Sequence, residues 1–336
     1  MSTTVTNTFL EVDGLAKAFA VRDSTVRRLQ PGHKQRAVAV DDVSFAVARR
    51  EKLGIVGESG SGKTTLGRCL IRLVEPDAGT IRFDGSDVLA ASRAELQQIR
   101  RRAQMVFQDP YSSLNPRFRV GEAIAEPARV HGRIDRHASR AHAERMLELV
   151  GLPATTVERY PRQLSGGQRQ RVAIARALSA EPELLIADEP VSALDVSIQA
   201  QILNLLDDLV TSLGLTMIFI AHQLAVVRHI SDRIAIMYLG RIVELGSAHD
   251  IFDSPQHPYT AGLLGAAPRP DPGQRRRKPA IAGDIPSPLR IPSGCRFRTR
   301  CKFAEERCAT DDPALREVAP GHLTACHILP FKGARA

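Results

Sequence analysis

Gly57-Glu58-Ser59-Gly60-Ser61-Gly62-Lys63-Thr64 matches the phosphate-loop pattern G-x-x-x-x-G-K-[ST] in full. Its flanks agree with it. Leu53-Gly54-Ile55-Val56 reads as a short buried strand, and Leu66, Cys69, Leu70 and Leu73 recur at helical spacing. A strand feeding a glycine-rich turn into a helix aims consecutive backbone N–H groups and the positive helix end at one spot, where a polyphosphate can sit. Lys63 then reaches the β- and γ-phosphates, and the Thr64 hydroxyl, with Thr65 beside it, holds Mg²⁺. At average residue usage the pattern arises by chance in roughly one chain of this length per hundred. The strand and the helix therefore decide for a nucleotide loop.

The bulk numbers are those of an ordinary globular chain. Hydrophobic residues make up 43% of the 336 positions and charged ones 25%. No apolar run approaches the ~18 residues of a membrane span, and Met1-Ser2-Thr3-Thr4 lacks the basic and apolar regions of a signal peptide. The expectation is a protein kept in the cytosol. A formal charge of +9 favours acidic partners, or simply reflects an Arg-rich proteome.

Along the chain, residues 8–50 alternate apolar and polar positions (Phe9, Val12, Leu15; Val38, Val40, Val43, Phe45, Val47), as in an antiparallel layer with one solvated face. Between them Arg22 to Arg36 reads as a basic loop. Phe19 has two readings, an adenine-stacking ring or a core phenylalanine. Thr80 to Gly85 reads as a strand into a turn, 93–102 as a basic helix, and Met105-Val106-Phe107 as a strand ending at Gln108. Residues 120–160 are helix-like. Ser165 is a natural N-cap for the helix Arg169–Leu178, and Gly166 and Gly167 leave its N-terminus bare for a ligand. Leu184 to Glu189 is a buried strand closed by two carboxylates. Gln199–Leu213 is an amphipathic helix, Leu215–Ala221 another buried strand with His222 at its end, and Ile234–Glu244 a closing hairpin.

Strands alternating with helices predict an α/β fold with a doubly wound sheet, whose ligands bind at the strands' carboxyl ends. The phosphate loop, Gln108, Asp188-Glu189 and His222 all follow strand ends. Phosphoryl transfer to water needs a cradled phosphate, a bridging metal and a water held in line. Asp188 and Gln108 suit the Mg²⁺ shell, Glu189 can polarise the water, and His222 and Gln108 can touch the γ-phosphate or that water. The competing readings are a solvated strand end for Asp188-Glu189 and a core histidine for His222.

Leu164-Ser165-Gly166-Gly167-Gln168, between a glutamine loop and an Asp-Glu strand and followed by Ser192-Ala193-Leu194-Asp195 and His222, resembles an ABC-type P-loop ATPase across residues 8–246. The resemblance implies a RecA-like core with an antiparallel β layer and a helical subdomain at about 110–165. It also implies a head-to-tail dimer with ATP between one subunit's phosphate loop and the other's Ser165, Gly166, Gly167 and Gln168. Glu189 would then be the catalytic base, His222 the γ-phosphate sensor, and Asp195 part of the loop joining the two sites. Gln108 to Pro116, His257-Pro258-Tyr259-Thr260 and the terminal cysteine block are similar to the ATP-binding subunits of oligopeptide and dipeptide importers, the loop wording to their "F" subunit.

The implied partners are a paralogous "D" ATPase in a heterodimer, two transmembrane permease subunits and, through the complex, an extracytoplasmic substrate-binding protein. The implied place is the cytoplasmic membrane face, with no direct nucleic acid contact. Two other readings compete. A soluble ABC-type ATPase on nucleic acid or ribosomes fits the charge but usually has two modules or a coiled-coil insertion, and a nucleotide-sensing regulator fits poorly with an intact Glu189. Nickel, glutathione or sugar stand as alternative cargoes.

Residues 247–336 form an extension whose prolines (258, 268, 270, 272, 279, 286, 288, 292) predict irregular structure. Arg275-Arg276-Arg277-Lys278 is a solvated linker or a contact for lipid headgroups or nucleic acid. Cys295, Cys301, Cys308 and Cys326 lack the C-x₂-C pairs of a zinc ribbon. Four thiolates can hold an iron–sulfur cluster or zinc, with Arg296, Arg298, Arg300 and Lys302 offsetting the charge. The family resemblance implies a [4Fe–4S] cluster there. Cys69 reads as core.

Overall fold

A computed structural model describes residues 8–21, 36–192, 194–266, 281 and 283–331. The basic run Arg275–Lys278, nearly all of the Arg22–Arg36 loop, and Ala193 lie outside the described residues. The strands are β1 Thr8–Ala20, β2 Arg36–Ala48, β3 Lys52–Val56, β4 Ala78–Phe83, β5 Ser86–Asp87, β6 Ala103–Val106, β7 Leu184–Asp188, β8 Thr216–Ala221, β9 Arg233–Tyr238, β10 Arg241–Ser247, β11 Arg316–Ala319 and β12 His322–Thr324. One sheet has the order β2-β1-β4-β5. In β2 the buried positions step from Val40 to Val43, Phe45 and Val47, because Asp42 takes a left-handed φ of 54° and shifts the alternation by one residue. The chain divides into two compact units that interleave in sequence.

The first unit comprises Met1–Leu10, Val47–Lys52 and Arg82–Ile220. Here β7 is parallel to both β6 and β8, with Ile186 opposite Met105 on one side and Ile218 on the other. A strand between two parallel neighbours is covered on both faces. That is why Leu184 to Ala187 form a continuous apolar run and Asp188 is the first carboxylate. The helix Arg93–Arg102 opens with a capping box, Ser92 with Glu95. Its last residue, Arg102, donates to Glu183 and Asp84, each at 2.5 Å, and holds both carboxyls below their usual pKa range. The helices Val120–Val130, Ser139–Leu149 and Gly166–Leu178 pack on one another. The helix-like stretch 120–160 is therefore two helices, parted by a turn at Gly132 (φ 68°) and followed by a 3₁₀ turn at Ala154–Glu158.

The second unit comprises Glu11–Ala46, Leu53–Ile81 and Ala221–Ala336. Here β3 is parallel to β9, with Ile55 opposite Ala235. The β9–β10 hairpin turns on Leu239 (φ 44°) and Gly240 (φ 84°), and two successive positive φ values match the right-handed strand twist. The sequence predicts that this hairpin closes the sheet, and it does not. β10 also pairs β12, Glu244 opposite Thr324, and β12 pairs β11. The extension is likewise less irregular than its prolines predict. Pro258 opens a helix, Pro258–Ala266, where a missing N–H costs nothing. Fewer prolines follow position 292, and strands β11 and β12 form there.

Leu73 and Leu213, expected on apolar helix faces, lie beyond the ends of the helices Lys63–Leu70 and Val196–Ser212 and are 45% and 46% exposed. Cys69 is fully buried core, and burial pushes its thiol up to about 12. No helix among the described residues is long and apolar enough to cross a membrane.

Candidate nucleotide site

In the second unit the loop Gly57–Gly62 links β3 to the helix Lys63–Leu70. Two of its glycines are fixed by space. A Cβ on Gly57 would stand 2.2 Å from the Met237 carbonyl oxygen, and one on Gly62, already at φ 100°, 1.9 Å from the Ala39 carbonyl oxygen. The loop therefore lies directly on backbone. Lys63 Nζ donates to the Gly57 carbonyl (2.8 Å), the Glu58 carbonyl (2.9 Å) and Ser61 Oγ (3.3 Å). This buried ammonium holds the loop in an arc, the shape a polyphosphate needs. Ser59 and Gly60 are exposed at its crest, while Thr64 and Thr65 are half-buried in the first helical turn.

The loop is also gripped from the extension. The Glu58 N–H donates to the Tyr259 hydroxyl at 3.0 Å. Arg300 donates to both Glu58 carboxylate oxygens, at 2.6 and 3.0 Å. Arg296 donates to the Leu239 carbonyl and to Asp41, and the Gly240 N–H at the same turn donates to the Ser61 carbonyl at 2.9 Å. Reading Arg296 and Arg300 as charge balance for thiolates is thus corrected: they face carboxylates and backbone. Arg298 donates to Ser293, and the Lys302 amine lies 5.1 Å from the Phe303 ring centre. Sequence reasoning misses Tyr259 and Arg300 as contacts of the loop because no local pattern marks a partner more than 200 residues away.

Phe19 is 42% exposed, with the Lys17 amine 5.5 Å from its ring centre, so the core reading falls. His222 follows β8 and is exposed, and the core-histidine reading falls with it.

In the first unit Asp188 ends β7 fully buried. Glu189 follows at φ 45°, a left-handed backbone that a glutamate rarely adopts. Its N–H donates to the Ile220 carbonyl at 2.9 Å, and its carbonyl accepts from Ser192 N (3.2 Å) and Ser192 Oγ (3.1 Å). Gln108 Nε2 donates to Glu189 Oε2 at 2.8 Å, so two residues singled out separately in sequence meet. Ser165 caps Gly166–Leu178: its Oγ accepts from Gln168 N, and Gln168 Oε1 accepts from Ser165 N. The helix begins three residues earlier than expected. A Cβ on Gly166 would meet Leu194 at 3.3 Å, and one on Gly167 would meet Ile198 at 2.7 Å. These glycines therefore let the Leu194–Ile198 segment, with Asp195 at the first position before its helix, approach closely.

None of the five cysteines is in a disulfide. The Cys295 N–H donates to the Cys308 carbonyl at 2.9 Å. Burial pushes Cys295 and Cys326 each up to about 11, and Cys301 upward too, with neighbouring thiols adding to the effect. Among the described residues no group of three His, Cys, Asp or Glu side chains is placed to hold a metal ion.

The ABC transporter family profile matches residues 40–192, and the profile of the oligopeptide/dipeptide transporter C-terminal region matches residues 243–308. A putative peptide import ATP-binding protein of Brucella ovis is 53% identical over 317 residues, covering 94% of this chain and 96% of that one. The oligopeptide transport ATP-binding protein AppF of Bacillus subtilis is 47% identical over 324 residues, covering 96% and 97%. Among solved structures, the dimeric bacterial ABC transporter cassette MJ0796 superposes with a TM-score of 0.62 at 27% identity, over 71% of this chain and 98% of that one. The chain belongs to the ATP-binding proteins of ABC transporters, in the oligopeptide/dipeptide group.

Proposed function

We propose that this chain is the ATP-hydrolysing, energy-coupling subunit of an importer for di- and oligopeptides. The observation that carries the reading is a near full-length match to peptide-import ATP-binding proteins that includes the C-terminal region as well as the cassette. Residues 1–246 serve as the nucleotide-binding part, with a helical subdomain at about 110–165, and 247–336 as the extension. Gly57 to Thr65 cradle the phosphates, Lys63 supplies the positive charge, and Phe19 stacks on the adenine. Glu189 polarises the attacking water, oriented by Gln108, and His222 contacts the γ-phosphate. Ser165, Gly166, Gly167 and Gln168, with Asp195, complete the site of a partner ATPase.

The proposed Mg²⁺ ligands are Thr64, Gln108 and Asp188, each of which offers the oxygen donor a hard cation takes. With Gln108 Nε2 turned to Glu189, its amide oxygen remains the acceptor end. When bound, Mg²⁺ would neutralise the charge that develops on the phosphates during transfer. The partners are a paralogous ATPase and two permease subunits, reached on the cytoplasmic membrane face, with a substrate-binding protein outside.

Cys295, Cys301, Cys308 and Cys326 are proposed ligands of a [4Fe–4S] cluster. That reading rests on the family resemblance of the terminal cysteine block; four thiolates could supply the ligands such a cluster takes. Co-expression with the paralogous ATPase and permease genes, and purification through this chain, tests the whole reading. The expected result is a membrane complex with ATPase activity and a brown chromophore lost in Cys301→Ser. A colourless complex would move the cysteines to zinc or to no metal. A soluble protein carrying only nucleic acid would overturn the importer.

A further inference from the structure

Glu58 is an acidic side chain inside an anion-binding loop. Its carboxylate is one residue from Gly57, whose carbonyl accepts from the Lys63 ammonium. Left bare, a charge of that sign would repel the polyphosphate the loop is built to hold. In this fold it is not bare. Arg300 covers it with a two-pronged ion pair, and the Arg300 side chain is itself only 6% exposed. Arg300 lies against an aromatic cluster shared by β9 and the extension: its guanidinium is 5.8 Å from the ring centre of Tyr238 in β9, and Tyr238 packs against Tyr259 and Phe297 of the extension with ring centres 4.7 and 5.4 Å apart. The Tyr259 hydroxyl at the same time fixes the Glu58 N–H.

We propose that Arg300 is a positioning residue of the nucleotide site: by pairing Glu58 it cancels the loop's own negative charge and fixes its arc, so that the C-terminal extension sets nucleotide affinity. This rests on the reading of Gly57–Thr65 as the ATP loop. Arg300 does not touch the reacting atoms. Its effect reaches the nucleotide through Glu58, and the turn Leu239-Gly240, held by Arg296 and bonded to Ser61, supports the same loop from its other end.

The test is a charge cycle in the purified full-length chain, read by titration with a fluorescent ATP analogue and by steady-state ATPase kinetics. Arg300→Gln uncovers Glu58 and is expected to raise the nucleotide Kd about tenfold, with KM rising and kcat little changed. The loss should shrink as salt is raised. Arg300→Lys, which keeps the charge but loses the fork, should fall between Arg300→Gln and the wild type. Adding Glu58→Gln to Arg300→Gln should restore most of the affinity, because no charge is then left bare. A merely structural role for Arg300 does not produce that rescue.

An unchanged Kd in Arg300→Gln, or a double variant as weak as the single one, would overturn the proposal. If Arg300→Gln does not fold, the double variant and Arg300→Lys decide in the same way. Lys63→Ala is the control for the underlying reading. Should it bind nucleotide normally, the loop assignment itself fails, whatever Arg300 does.

Discussion

Glu189 shows how much chemistry one position can concentrate. Its backbone is left-handed, which costs of the order of 1–3 kcal/mol, and hydrogen bonds to Ile220 and Ser192 hold it there. The strain turns the residue after a buried strand aside from the path of β7 and presents its carboxylate to Gln108. Glu189→Gln removes the proposed base while keeping size and hydrogen-bonding reach. ATP turnover is expected to fall at least a hundredfold, with ATP affinity retained, as a phosphate-release assay beside a binding titration would show. An unchanged turnover would assign the base elsewhere. Gln108, Asp188 and Glu189 are legible in the sequence because each ends a short apolar run, and strand ends are where such folds do chemistry. Arg300 is legible only as a charge. Its partner is 242 residues away, and an ion pair at that separation leaves no periodicity to read.

At the scale of elements, one buried carboxylate gathers several of the extension's ties. Glu244, fully buried in β10, accepts from Gln256 N at 2.5 Å and His257 N at 3.1 Å, and His322 Nε2 of β12 lies 2.8 Å from its Oε1. The turn glycine Gly240 marks β10 as one arm of a hairpin but cannot show that it has a second neighbour, since the pairing β12 lies beyond the prolines. His257 beside this knot accepts from Tyr259 N through Nδ1 and is fully enclosed, so burial pushes its pKa down to about 3. The sign of the consequence follows directly. Between about pH 6.5 and 3 the unfolded chain binds a proton at this residue and the folded chain does not, so stability falls as pH falls through that window. Each pH unit removes about 1.4 kcal/mol from this one residue. Urea unfolding from pH 7 to 4 should therefore show a shallower loss of stability in His257→Gln than in the wild type. Equal slopes would mean that His257 does not carry the linkage.

The whole molecule raises the question of what the chain does alone. Its family resemblance implies that each ATP is shared between the phosphate loop of one subunit and the Ser165–Gln168 helix end of another. This chain holds one copy of each. In its own fold the helix end is closed by its capping box, Ser165 with Gln168, and its glycines lie against Leu194 and Ile198. No stretch of sequence distinguishes a self-partner from a paralogue, because the surfaces that decide it carry no fixed motif. The expectation is a heterodimer. With Glu189→Gln and Mg-ATP, light scattering behind a sizing column should give the chain alone a monomer's mass and its mixture with the paralogous ATPase a 1:1 dimer. That dimer should vanish with ADP and with Ser165→Arg, which blocks the helix N-terminus offered to the partner's nucleotide. An ATP-dependent homodimer as stable as the mixed one would replace the paired-subunit reading with a symmetric motor, in which both composite sites are identical and Arg300 acts twice.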